Sequence, residues 1–129
     1  MLNILIVDDS AMARKRVKQM ILKLDVKHSI VAEAEDGLRG LELYKELKPN
    51  LVLTDLEMPN MSGLELIQEI RKIDQSMHII VISSLSNEQV KQTIKHDRFS
   101  DFIKKPMDDR VFKAQLLKVE HHIEKEVHI

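Results

Sequence analysis

Two rhythms of apolar spacing take turns along the chain. Short, nearly unbroken apolar runs fall at residues 4–7, 29–34, 51–54, 79–82 and 102–103. Runs of this length read as strands buried on both faces of a sheet. Between them, apolar residues recur at three- and four-residue steps, as on one face of a helix. Ala13, Val17, Met20, Ile21 and Leu24 mark the first helix, and Leu38, Leu41, Tyr44 and Leu47 the second. Leu66, Ile67, Ile70 and Ile73 mark the third, while the fourth carries only a thin stripe, Val90 and Ile94. Ser62 with Glu65, and Ser86 with Gln89, have the spacing of capping boxes that open helices three and four. Pro49 stops the second helix. Lys105-Pro106 ends the fifth strand, and a last helix starts near Asp108 or Asp109.

Five strands alternating with five helices predict an α/β fold, a single parallel sheet with helices on both faces. Right-handed crossovers favour the doubly wound topologies. The last helix carries Phe112, Leu116, Val119, Ile123 and Val127 as one stripe running nearly to the end of the chain. From Asp109 to Val127 it would span roughly 28 Å at about 1.5 Å per residue, longer than strands of about five or six residues can cover. Val119, Ile123 and Val127 are therefore expected to project beyond the sheet. Such a stripe either finds a partner, through weak self-association or an output protein, or frays.

The 129 residues, 43% apolar and 32% charged, suit one compact domain with its own core. With 20 basic and 21 acidic residues the formal net charge is −1, so no strong field draws the protein to nucleic acid or an anionic membrane. Basic residues without aromatics to stack bases point the same way. The absence of cysteine excludes a disulfide framework, a Cys-ligated zinc and a thiol nucleophile. The N-terminal apolar run lacks a basic leader and is too short for a signal peptide or membrane span, so a cytoplasmic protein is expected. Lys15, Arg16, Lys18 and Lys23 read as a solvated helix face. His121 and His122 are adjacent and so do not share a helical face; with His128 they read as a solvated tail rather than a metal site.

The chemistry lies at the strand ends. Ligands of an open parallel sheet bind outside the carboxyl ends of its strands. Strand one ends in Asp8-Asp9, strand three in Asp55, strand four in Ser83-Ser84 and strand five in Lys105. Three carboxylates at one rim repel each other, and a hard divalent cation relieves that repulsion. Mg²⁺ takes one or two carboxylates, several waters and a phosphate oxygen. An aspartate can attack phosphorus to form an acyl phosphate. Lys105 can supply charge and Ser83 a hydroxyl to the transferring group.

Four blocks carry a resemblance: Ile-Leu-Ile-Val-Asp-Asp-Ser, Asp55-Leu-Glu-Met-Pro-Asn-Met-Ser-Gly63, Ile-Ile-Val-Ile-Ser83 and Lys105-Pro106. In this order they resemble the receiver domains of two-component response regulators, of the chemotaxis type. The resemblance implies a flavodoxin-like sheet of order 2-1-3-4-5 and a receiver occupying residues 1–129, with 119–129 as a helical extension. It implies that Asp55 accepts a phosphoryl group from a histidine kinase or phosphotransfer protein. Asp8, Asp9, Asp55 and the backbone carbonyl of Glu57 would hold Mg²⁺. Ser83 and Lys105 would engage the phosphoryl oxygens, and Phe102 would move with Ser83 as the switch aromatic. Output would pass to a protein partner through the face of the fourth helix, fifth strand and last helix. Lys105–Pro106 is expected cis, Pro49 and Pro59 trans. Such a protein is a signalling phosphoacceptor that catalyses only its own phosphorylation and dephosphorylation.

Several positions depart from the family's common pattern. Ser84 stands where Ala or Gly is usual, and Phe102 where Tyr is frequent. Residues 96–99, ending in Phe99, replace a stretch usually containing Ala and Gly, and so bear on the end of the fourth helix and on partner choice. Glu57 brings a fourth carboxylate to the metal's surroundings. Two other readings compete. One is a receiver cut from a longer regulator with a DNA-binding or enzymatic output domain. The other is a Mg²⁺-dependent aspartyl-phosphate phosphatase; that chemistry needs a nucleophile and an acid two residues apart after strand one, whereas Asp8 and Asp9 are adjacent and position 10 is serine.

Overall fold

The structure is a computed structural model that describes residues 1–94, 99 and 101–127. The strands are β1 (Leu2–Val7), β2 (His28–Ala34), β3 (Leu51–Thr54), β4 (His78–Ser83) and β5 (Asp101–Lys104). The helices are α1 (Ala11–Ile21), α2 (Gly37–Leu47), α3 (Gly63–Ile73), α4 (Asn87–Thr93) and α5 (Asp109–Val127). All strand pairs are parallel, in the order β2-β1-β3-β4-β5. The expected doubly wound α/β sheet of order 2-1-3-4-5 is thus the fold.

β1, β3 and β4 alternate strictly between two apolar faces, while a register shift in β2 puts Ile30 against one core and Ala32 against the other. Ile4 and Ile6 of β1 join Leu53, Ile80, Ile82 and Ile103 in a core shared with α1 and α5. Leu5 and Val7 join Val52, Ile79 and Val81 in a second core under α2, α3 and α4. Fully burying each such side chain is worth about 1.5–3 kcal/mol. Helix starts are secured as the sequence suggests. Both capping boxes form, at Ser62/Glu65 and at Ser86/Gln89. Ser10 caps α1 through Ala13, and Asp36 caps α2 through Arg39.

Two expected faces are different in the structure. In α2, Leu38 and Leu47 are exposed, and the buried face is Gly37, Gly40, Leu43 and Tyr44. A Cβ on Gly40 would come within 3.1 Å of both Val7 methyls, so the helix packs by lacking a side chain there. Apolar periodicity cannot register a contact made by glycine. In α3, Leu66, Ile67 and Ile70 are buried as expected, whereas Ile73, the last helical residue, is exposed.

The largest correction concerns α5. It has the expected start and length, but Val119 (4% exposed) and Ile123 (8%) do not project from the body. They belong to the α1/α5 core together with Leu2 and Leu24, with Val26 packed against it. That core runs along α5 from Phe112 to Ile123 and takes in Leu2 of β1 as well as the connection between α1 and β2. Two of the three residues expected to project and seek a second chain, Val119 and Ile123, are therefore buried within this one. The side chain of Val127 and residues 128–129 lie outside the described residues, as do residues 96–98 of the unusual segment before β5. Phe99 is half-buried against the α2/α3/α4 core.

Candidate functional site

Parallel strands bring their carboxyl ends to one rim, and three loops there carry the acidic and basic groups. β1 runs directly into Asp8 and Asp9. The Asp8 amide donates to the carbonyl of Ala34 on β2 (3.0 Å), and its carboxylate accepts from the Ser10 amide (2.9 Å). β3 runs into Asp55, whose amide donates to the Val7 carbonyl (3.0 Å) and whose Oδ1 accepts from the Leu56 amide (2.7 Å). These backbone ties leave each carboxylate little freedom. Carboxylate oxygens of Asp8, Asp9 and Asp55 lie within 4.8 Å of one another. Asp9 is exposed, while the side chains of Asp8 and Asp55 are only 7% and 14% exposed.

Lys105 follows β5 and reaches across the rim. Its Nζ donates to Asp8 Oδ2 at 2.8 Å and to Asp55 Oδ2 at 3.1 Å. Its own amide donates to the Ser83 carbonyl at 2.8 Å, and the Lys105–Pro106 bond is cis. Pro49 and Pro59 follow trans bonds, so the three proline expectations hold. Burial works to lower the Lys105 pKa, but the hydrogen bonds and charges of Asp8 and Asp55 outweigh it and hold the ammonium above its ordinary value. The lysine is thus cationic throughout the neutral range.

The loop after Asp55 is built by tight approach. A Cβ on Gly63 would overlap the Asp55 carbonyl oxygen, and the Gly63 amide donates to the Leu56 carbonyl at 2.9 Å. Asn60 takes the left-handed backbone (φ 65°) that asparagine tolerates, and its amide group donates to Asp36 Oδ2 at 2.8 Å. That bond, after the backbone donation from Arg39, helps hold the Asp36 carboxyl below its ordinary pKa. The Gly37 amide donates to the Met61 carbonyl (2.9 Å), so α2 anchors this loop from the side.

Of the residues singled out in the sequence, Asp8, Asp9, Asp55 and Lys105 come together. Ser83 is buried at the end of β4, and its Oγ accepts from the Leu85 amide at 3.2 Å. Phe102 is half-buried against the α2/α3/α4 core. Glu57 is exposed, and among the described residues its carboxylate does not join the acidic group. The basic face of α1 is less free than its spacing suggests, since Lys18 pairs with Glu33 (2.8 Å) and Arg16 with Asp109 (3.6 Å), while Lys23 falls beyond the helix and also pairs with Asp109 (3.3 Å). Sequence reading missed two contributors. Thr54 Oγ1 donates to the Asp55 carbonyl at 2.8 Å. Arg14 donates to the Asp8 carbonyl at 2.7 Å. Strand-end position could have flagged Thr54; a contact made by a long side chain leaves no such mark.

The donor set fits a hard cation. It is oxygen only, it is open to solvent through Asp9, and its charge exceeds what Lys105 alone offsets. Asp8, Asp9 and Asp55 could hold Mg²⁺ and leave positions for water and a phosphate oxygen. Among the described residues no helix is long and apolar enough to cross a membrane.

The chain belongs to the response regulator receiver domain family, whose model matches residues 4–117. Within that family it is CheY-like. It is 42% identical over 113 residues to the chemotaxis protein CheY of Thermotoga maritima, a match covering 86% of this chain and 92% of that protein. It is also 38% identical over 109 residues to a protein-glutamate methylesterase/protein-glutamine glutaminase of Koribacter versatilis. That match covers 83% of this chain but only 30% of the relative's length. Among solved structures it is similar to the REC domain of AraT, a response regulator from Geobacillus stearothermophilus, with TM-score 0.85, 29% identity and 97% of each chain covered. The CheX–CheY complex with BeF3 and Mg from Borrelia burgdorferi gives TM-score 0.82 and 29% identity, covering 92% of this chain and 88% of that one.

Proposed function

We propose that this receiver takes a phosphoryl group onto Asp55 from a phosphohistidine of a sensor kinase or phosphotransfer protein, in a Mg²⁺-dependent reaction. The observation that supports this best is the Lys105 ammonium bridging Asp8 and Asp55 at 2.8 and 3.1 Å beside Asp9. A carboxylate so placed is a nucleophile with a fixed cation at the position where negative charge gathers. Asp55 attacks phosphorus, and the histidine nitrogen leaves. Lys105 transfers its hydrogen bond from Asp55 to a phosphoryl oxygen, and the Ser83 hydroxyl donates to another. Asp8, Asp9, Asp55 and the Glu57 carbonyl would hold Mg²⁺, which would supply further positive charge to the transferring group. The protein catalyses only this transfer and the later hydrolysis of the acyl phosphate, in which water takes the phosphoryl group and the Asp55 carboxylate is regenerated.

The output is a shift between two surfaces on the α4–β5–α5 face, with Phe102 following Ser83, read by a protein partner. The reaction belongs in the cytoplasm, where kinase and partner meet it; neither nucleic acid nor membrane is a direct target. A second reading is favoured by the 30% coverage of the methylesterase relative: the receiver would then be one module of a longer regulator. The mass of the protein isolated from its source decides between the two.

Incubation with Mg²⁺ and acetyl phosphate tests the chemistry. A mass gain of one phosphoryl group, absent in Asp55→Asn, is expected; full labelling of that variant overturns the assignment. Asp9→Ala, or removal of Mg²⁺ by EDTA, is expected to slow labelling sharply, and unchanged rates count against the metal role.

A further inference from the structure

The Asp8 carbonyl sits between the two acidic residues of the β1–α1 loop. The orientation of its peptide decides where the Asp9 carboxylate points. Asp9 itself is exposed, whereas Asp8 is tied through both its amide and its carboxylate. Arg14, in the first turns of α1, is what holds the carbonyl. Its Nη1 donates to Asp8 O at 2.7 Å, while its Nε donates to Glu33 Oε1 at 3.1 Å. Glu33 stands on β2 and is held from the other side by Lys18 Nζ at 2.8 Å. The Arg14 side chain is only 18% exposed. One rigid guanidinium therefore joins α1, β2 and the metal-side loop, a task a single ammonium cannot perform.

We infer that Arg14 is a positioning residue for Mg²⁺ binding, acting through the Asp8–Asp9 peptide, with Glu33 setting its orientation. This rests on the reading of Asp8 and Asp9 as metal ligands. Electrostatics alone predicts the opposite outcome. Arg14 is a positive charge close to a cation site, so its removal should tighten metal binding. Groups that orient metal ligands typically contribute about 10- to 100-fold in affinity. The sign of the change therefore separates a positioning role from a charge role.

The test is a Mn²⁺ titration followed by electron paramagnetic resonance of the free ion, with Mg²⁺ as competitor, on the full chain. Arg14→Met, which keeps the apolar stem, is expected to weaken Mg²⁺ binding about 10-fold. Arg14→Lys, which keeps the charge, is expected to weaken it as well. Lys15→Met removes a charge from an exposed position of the same helix, outside the Arg14–Glu33–Lys18 network, and binding should be unchanged or tighter. Wild-type affinity in Arg14→Met, or equal weakening in Lys15→Met, overturns the inference. Should Arg14→Met fail to fold, Arg14→Lys carries the test, and wild-type affinity there overturns it. Wild-type protein that binds neither ion overturns the metal site itself, a different failure from an unaffected Arg14 variant.

Discussion

Helices α4 and α5 flank the β5 edge on opposite faces of the sheet, and they are held by different forces. α5 runs for 19 residues and buries Phe112, Leu116, Val119 and Ile123 in the α1/α5 core. α4 has seven helical residues, and Val90 with the capping Ile94 are its buried apolar anchors. Its security is local. The Ser86/Gln89 box closes its start, and Thr93 Oγ1 donates back to the Gln89 carbonyl at 2.8 Å. A helix this short has little stability of its own. The contrast teaches which element can move at low cost. Shifting α5 would open a core, whereas shifting α4 disturbs, among the described residues, two buried side chains and a cap. The Ser83 hydroxyl already accepts from the Leu85 amide in the loop that leads into α4. A serine drawn toward a phosphoryl oxygen would give up that bond at the start of the weaker helix.

The comparison breaks most plainly through the cores. Phe112→Ala is expected to destabilise the protein by about 4 kcal/mol, since it empties the centre of the α1/α5 core. Ile94→Ala is expected to cost about 2 kcal/mol, the low end for such a truncation, because α4 can relax around it. Urea unfolding measures both, and equal losses would erase the distinction between the helices. Ser86→Ala removes a cap and should cost about 1 kcal/mol. Its signature in hydrogen exchange should be faster exchange confined to α4, with α5 amides unchanged; a spread into α5 would mean the helices unfold as one unit. The smallest effect is expected at Lys118, whose ammonium lies 3.5 Å from Asp101 on β5 but is 62% exposed. Lys118→Met should change stability by at most about 0.5 kcal/mol. A larger loss would show that α5 relies on charge as well as on its apolar face.

The reading of the strands and caps from spacing succeeded because each rests on neighbours in the chain. Ser62 and Glu65 meet within one turn, and Leu51 to Thr54 form an apolar run that only a buried strand accommodates. The α2 face failed for the opposite reason. Gly40 is buried because Val7 lies against it, a fact about β1 rather than about residues 37–47. The lower half of α5 failed likewise, since Val119 and Ile123 are buried in a core whose other members, Leu2 among them, lie far away in sequence.

The candidate site divides along the same line. Asp8, Asp9, Asp55 and Lys105 follow their strands immediately, and parallel strands share one carboxyl rim, so their convergence was determined by the sequence itself. The tertiary structure alone decided that Lys105 hydrogen-bonds Asp8 and Asp55 together, and that Arg14 spans from Glu33 to the Asp8 carbonyl. Strand ends are positioned by backbone pairing that a periodic pattern encodes. A long cationic side chain chooses among acceptors on several elements, and that choice exists only once those elements have been packed together.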